Sequence, residues 1–225
     1  MTDALGIFAK WPEPDRVKTR LAAATSPEFA AQVADAFLRD TLDRLASVEA
    51  ERWLVFAPPT REPEFQSLAA GRFQPAPQGD GDLGVRMERF IRERLDNGTQ
   101  RIVIVGTDSP TLAPELVSDA LRMLRDADMV IGPATDGGYY LIGCRRRIPP
   151  VFDEIEWGTP TVLRDTFRRI DGLWRIAILP PWYDVDTLDD WQFLQGHVAA
   201  LRRAGIDPRC PRTERLLDES PPLRP

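Results

Sequence analysis

Carboxylates and a few cations must carry most of the chemistry open to this chain. His197 is its single histidine, and Cys144 and Cys210 are its two cysteines. That inventory argues against a serine–histidine–aspartate hydrolase and against a histidine-rich zinc site. Asp108 stands in Gly-Thr-Asp-Ser-Pro, directly after the run Ile-Val-Ile-Val at 102–105. Four consecutive β-branched residues read as a buried parallel strand. A carboxylate at the carboxyl end of such a strand lies where open α/β sheets bind ligands, and it can hold a divalent cation that holds a phosphate in turn. The bland alternative is a turn or a cap for the helix beginning near Pro114. Asp184 and Asp186 flank Val185, so in extended backbone both point to one face. If that face meets Asp108, two or three carboxylates converge and repel unless a cation sits between them. Their alternative is again a helix cap. Asp136, in Thr-Asp-Gly-Gly, belongs either to a hairpin turn or to a cleft where it contacts a sugar or acts as a base.

The cations are as pointed as the acids. Only Lys10 and Lys18 of the 29 basic residues are lysine, and both fall in one short loop. A lysine is a compact point charge on a flexible stem, so its double use there suggests a need for that chemistry. The loop Lys-Trp-Pro-Glu-Pro-Asp-Arg-Val-Lys-Thr-Arg leaves a first strand and carries Lys10, Arg16, Lys18, Thr19 and Arg20. It looks like a polyphosphate clamp, although a solvated basic loop would have the same composition. It matches neither the Walker pattern nor the dinucleotide fingerprint. Further on, Gln-Gly-Asp-Gly-Asp-Leu-Gly at 78–84 offers glycines, Gly81 among them, that let backbone approach a flat nucleotide base. Asp82 in that stretch also suits the N-cap of the following helix.

The elements that must position these groups alternate. Strands are expected at 5–9, 52–57, 102–105, 128–132, 139–143 and 174–179, with a short extended piece at 73–75. Helices are expected at 27–47 behind Ser26, 62–70, 83–97, 113–125, 160–169 behind Thr159, and 188–203. The alternation predicts one α/β domain over 1–204, and the Pro- and Arg-rich stretch 205–225 is expected to wrap the surface or lack order. With a net charge of −6 and a pI near 5.0, no global basic field is offered to nucleic acid. The first apolar run, 4–9, is too short for a signal peptide, and no run approaches a membrane span. Two cysteines without a framework point to the cytoplasm.

Five stretches in order, at 8–21, 81–87, 106–110, 132–143 and 184–187, resemble the DUF2064 family of glycosyltransferase-like proteins within the GT-A nucleotide-diphospho-sugar transferase superfamily. The resemblance implies a three-layer α/β/α GT-A (Rossmann-like) fold with a mixed, mostly parallel central sheet and a nucleotide in its N-terminal half. It also implies Mg²⁺ or Mn²⁺ on the diphosphate, held by Asp108 with Asp186 or Asp184. One departure is Asp15, where the family has glycine. The expected activity is sugar transfer from a nucleotide-diphospho-sugar to a small-molecule acceptor. Lys10, Arg16, Lys18, Thr19 and Arg20 would hold the phosphates, with Gly81 and Asp82 beside the nucleotide. Lys18 would stabilise the leaving diphosphate, and Asp136 would serve as acceptor base. The same loop is similar to the phosphate loop of guanylyltransferases, so nucleotidyl transfer from an NTP is the alternative.

Overall fold

The computed structural model of the chain describes residues 2–219. The strands are β1 (Asp3–Lys10), β2 (Glu51–Ala57), β3 (Gln74–Pro77), β4 (Arg101–Val105), β5 (Met129–Pro133), β6 (Tyr139–Arg145) and β7 (Ile176–Ile178), of which β4 is the run of β-branched residues. Among the described residues they form one sheet in the order β3-β2-β1-β4-β6-β5-β7. Only β6 runs against its neighbours, pairing antiparallel with β4 and β5, while the other pairings are parallel. The sheet is thus mixed and mostly parallel, as expected.

Eight helices accompany it among the described residues: α1 (Thr19–Ala24), α2 (Pro27–Leu45), α3 (Glu62–Ala69), α4 (Leu83–Asp96), α5 (Pro114–Met123), α6 (Val162–Arg168), α7 (Leu188–Arg203) and α8 (Pro211–Leu217). The pleat splits the core into two layers. Leu5, Ile7 and Ala9 of β1 pack with Leu38 and Leu42 of α2, Phe65 of α3 and Val117 of α5. Ala4 and Phe8 turn to the other face and meet Met87, Phe90 and Ile91 of α4. A third cluster joins Phe29, Val33 and Phe37 of α2 to Trp191, Leu194 and Val198 of α7. No helix among the described residues is long and apolar enough to cross a membrane.

Several boundaries differ from expectation for local reasons. Strand β7 covers three residues, not six. Proline at 180 and 181 supplies no backbone donor, and the Arg175 N–H is taken by the Asp128 carboxylate at 3.1 Å. Helix α6 starts after Thr161, not Thr159, because the Thr159 hydroxyl donates to the Glu156 carbonyl at 2.8 Å. Helix α1 was not expected, since six residues show no periodicity. The stretch after Gly205, read as surface wrapping or disorder, contains α8. The fully buried Asp40 carboxylate accepts the Thr213 backbone N–H at 2.8 Å and the Arg212 guanidinium at 3.1 Å, which ties α8 to α2. Residues 220–225 lie outside the described residues.

Candidate functional site

Strand direction explains why acids so far apart in sequence gather. The strands β1, β4, β5 and β7 point the same way, so the loops that follow them emerge at one edge of the sheet. Strands β1 and β4 are neighbours at the point where the strand order reverses, which opens a crevice between their loops. The chain leaving β1 turns through Asp15 at φ 62°, the left-handed conformation that suits glycine and that aspartate tolerates. It turns again at Lys18, at φ 43° and ψ 47°, immediately before α1. That conformation costs a lysine on the order of 1 kcal/mol, and tertiary contacts of its side chain must hold it.

Those contacts define the site. Lys18 Nζ donates to Asp108 Oδ1 at 2.6 Å, to the Val185 carbonyl at 2.6 Å and to Asp186 Oδ1 at 3.4 Å. It also lies 4.8 Å from the centre of the Phe37 ring. A lysine has three N–H donors, so all are engaged. Its side chain is 3% exposed, against 49% and 38% for the two carboxylates. Burial works against the ammonium charge, yet Asp108 and Asp186 outweigh it and hold the lysine pKa above its ordinary value. The Val185 N–H closes the arrangement by donating to the Asp108 carbonyl at 3.0 Å. A cation does sit between the converging acids, and the chain itself supplies it. Lys18, expected as a phosphate ligand, lines the crevice with its three N–H groups engaged by the chain itself.

Asp184 and Asp186 part company around the buried Val185. The Ser109 hydroxyl donates to Asp184 Oδ1 at 2.5 Å. Burial first, then the nearby Asp108, Asp136 and Asp186 carboxylates, push the Asp184 carboxyl up to about 7 against the pull of Ser109. Burial and Asp108 also raise Asp186, with Lys18 opposing. Among the described residues no group of three potential ligands lies close enough to hold a metal by itself. Asp184, the alternative to Asp186 beside Asp108, gives one oxygen to Ser109. The surplus of negative charge has a consequence for stability. Because the folded state raises the Asp184 pKa above that of the unfolded chain, its favourable contribution is lost as pH rises through about 7. Asp184→Asn keeps the acceptor for Ser109 and removes the charge. Without divalent cation it is expected to raise the melting midpoint at pH 8 by roughly 2–4 °C, with little gain at pH 5. An unchanged midpoint at pH 8 would contradict the picture of repelling acids.

Asp136 sits in the β5–β6 connection, and its Oδ1 accepts the Gly138 N–H at 2.8 Å. Gly137 beside it, at φ 94°, leaves no room for a side chain, since a Cβ there would lie 2.1 Å from the Pro160 carbonyl oxygen. The connection is a turn and a cleft wall together, because Asp136 lines the same cavity as Asp108, Asp184 and Asp186.

Two further cavities carry the nucleotide expectation. One of about 590 Å³ is lined by Lys10, Arg16, Lys18, Thr19, Gly81, Asp82, Asp108 and Asp186. Next to it, a cavity of about 500 Å³ shares Lys10 and Arg16 and adds Trp11, Phe56, Gly79 and Asp80. Arg20 lines neither. Helix α1 begins at Thr19 and carries Arg20 away from the crevice into solvent. Asp82 is chiefly a helix cap, its Oδ1 accepting the Val85 N–H at 2.9 Å. Three participants were missed. Arg86 lines both cavities, a placement legible from its position four residues after Asp82. Buried Gln78 donates to the Ala9 and Val55 carbonyls at 3.1 and 3.0 Å, pinning the end of β3 to β1 and β2. Neither Gln78 nor Ser109 gave a sequence signal.

A sheet whose switch point presents acids and cations in this way has the fold of the nucleotide-diphospho-sugar transferase type. Over the whole chain the protein is similar to a crystal structure from Desulfovibrio desulfuricans G20, provisionally described as a nucleotide-diphospho-sugar transferase. The two are 34% identical, with a TM-score of 0.85 over 97% of this chain and 98% of that one. More particularly, the chain belongs to DUF2064, a family described as uncharacterized proteins conserved in bacteria, whose model matches residues 41–159. That match includes Asp108 and Asp136 but not the lysine loop or Asp184 and Asp186. A 3-phospho-D-glycerate guanylyltransferase from Phenylobacterium zucineum (strain HLK1) is 32% identical over 139 residues, 59% of this chain and 62% of that relative's length. A 4-diphosphocytidyl-2C-methyl-D-erythritol synthase from Anaerococcus prevotii DSM 20548 shares the fold, with a TM-score of 0.59 at 12% identity over 88% of this chain and 96% of that one. The relatives by sequence and by structure are transferases.

Proposed function

We propose that the chain transfers a glycosyl group from a nucleoside-diphosphate sugar to a small-molecule acceptor. The observation that carries this reading is the meeting of two unlike cavities at Asp108 and Asp186, one with cations on its wall and one with acids. Lys10, Arg16 and Arg86 suit a diphosphate. The adjoining cavity with Trp11, Phe56 and the backbone of Gly79 and Asp80 suits a flat base. Lys18 holds only one oxygen of each carboxylate, so Asp108 and Asp186 each keep a second one. Mg²⁺ is commonly held by one or two carboxylates together with substrate phosphates, and this donor set fits Mg²⁺ or Mn²⁺ bound in that way. The metal would neutralise charge developing on the departing diphosphate. Lys10 and Arg16 hold the diphosphate, Lys18 holds the two acids apart from each other and in register, and Asp136 accepts the proton of the attacking hydroxyl.

The guanylyltransferase relative favours a second reading, nucleotidyl transfer, in which the same cations face the leaving phosphates of an NTP. Incubation with Mn²⁺ and panels of nucleotide sugars and nucleoside triphosphates separates the two. Glycosyl transfer releases a nucleoside diphosphate, and nucleotidyl transfer releases pyrophosphate. Failure of any nucleotide to bind would remove both readings.

A further inference from the structure

Asp108, Asp136, Asp184 and Asp186 all border a cavity of about 310 Å³ beside the cation-lined one. Every charged side chain that lines it is a carboxylate, and none of its lining residues is basic. Lys18 is no exception, being buried behind Asp108 and Asp186 with its donors engaged. The remaining wall is apolar and aromatic. Tyr139 and Trp157 meet edge to face at 6.2 Å and 88°, with Phe8, Met87 and Ile142 beside them. Their polar ends are buried away from the cavity, the Tyr139 hydroxyl beside Thr166 of α6 and the Trp157 indole N–H against Gly84 of α4. A pocket that offers an aromatic wall and acids at one side suits a ligand with an apolar body and hydroxyl groups.

From this we infer that the acceptor is an uncharged or ammonium-bearing alcohol, and not a phosphorylated or carboxylated one. The inference rests on the transferase reading and names the acceptor class for its second cavity. An acceptor anion would meet Asp136 with no cation paired to it, even with a divalent cation on Asp108 and Asp186. Facing like charges repel, and the acids of this wall outnumber the cations it can gather. An ammonium group would instead find carboxylates and aromatic faces together. The chain therefore selects a different acceptor chemistry from that in the name of its guanylyltransferase relative, whose acceptor carries a phosphate and a carboxylate.

Four probes test this in calorimetric titrations of the full chain. Tyramine, tyrosol and 4-hydroxyphenylacetate share one ring and differ in charge, and 3-phospho-D-glycerate represents the phosphorylated acids. Tyramine and tyrosol are expected to bind on the order of tenfold more tightly than either acid. Asp136→Asn, which keeps the oxygen that accepts the Gly138 N–H, is expected to narrow that gap several-fold. Equal or tighter binding of the acids, or binding of none of the four, would overturn the inference. A nucleoside diphosphate is titrated into the same samples. Loss of its binding would strike the transferase reading, whereas its binding alongside a preference for acids would strike only the acceptor class.

Discussion

Asp108→Asn is expected to lower transfer by on the order of a thousandfold and to remove the stimulation of nucleotide binding by Mn²⁺. The side chain keeps its shape, so the Val185 N–H still reaches the unchanged residue-108 carbonyl. What disappears is half of the paired charge that faces the cation-lined cavity. Lys18 then keeps only Asp186, its more distant partner at 3.4 Å, and the Val185 carbonyl. Steady-state kinetics and titration with and without Mn²⁺ check this. Full retention of metal-stimulated binding would show that Asp108 belongs to a turn and not to a binding site.

Lys18→Met should cost activity almost as much while sparing the fold. Its ammonium is buried at 3% exposure, but Asp108 and Asp186 remain 49% and 38% exposed and can take up water when it is lost. Breaking a fully buried pair costs about 3–5 kcal/mol, and solvation of the acids brings the expected loss here to about 1–2 kcal/mol. That corresponds to a fall in melting midpoint of roughly 2–8 °C for a chain of this size. Transfer is expected to drop on the order of a hundredfold, because the two acids repel and leave their registered positions. Lys18→Arg should not rescue it, since a planar guanidinium cannot replace a compact ammonium among three acceptors. Wild-type turnover in the methionine variant would contradict a positioning role.

Much of the fold was legible because the patterns were long. The run at β4, the apolar faces of α2 and α7 and the caps at Ser26 and Thr187 each follow from local chemistry. Helices α1 and α8 were not, since six and seven residues carry too little periodicity and both are held by distant partners. At the site, the acids and the lysine loop could be named from type and strand ends alone. The identity of the cation between them could not. Residue 18 meets residues 108 and 186 only because β1 and β4 lie side by side in the sheet, and a long-range pairing of that kind leaves no local trace. The scarcity of lysine was the one hint, and it singled out the residue without naming these partners. The contact from Ser109, a residue with no motif of its own, to Asp184 left no local trace for a similar reason.

The most direct test is a crystal structure of the chain soaked with Mn²⁺ and a nucleoside diphosphate, with the metal located by anomalous scattering. The expected result is manganese held by Asp108 and Asp186, with a diphosphate that lies along Lys10 and Arg16. Manganese elsewhere, or a nucleotide bound away from the loop that follows β1, would contradict the account.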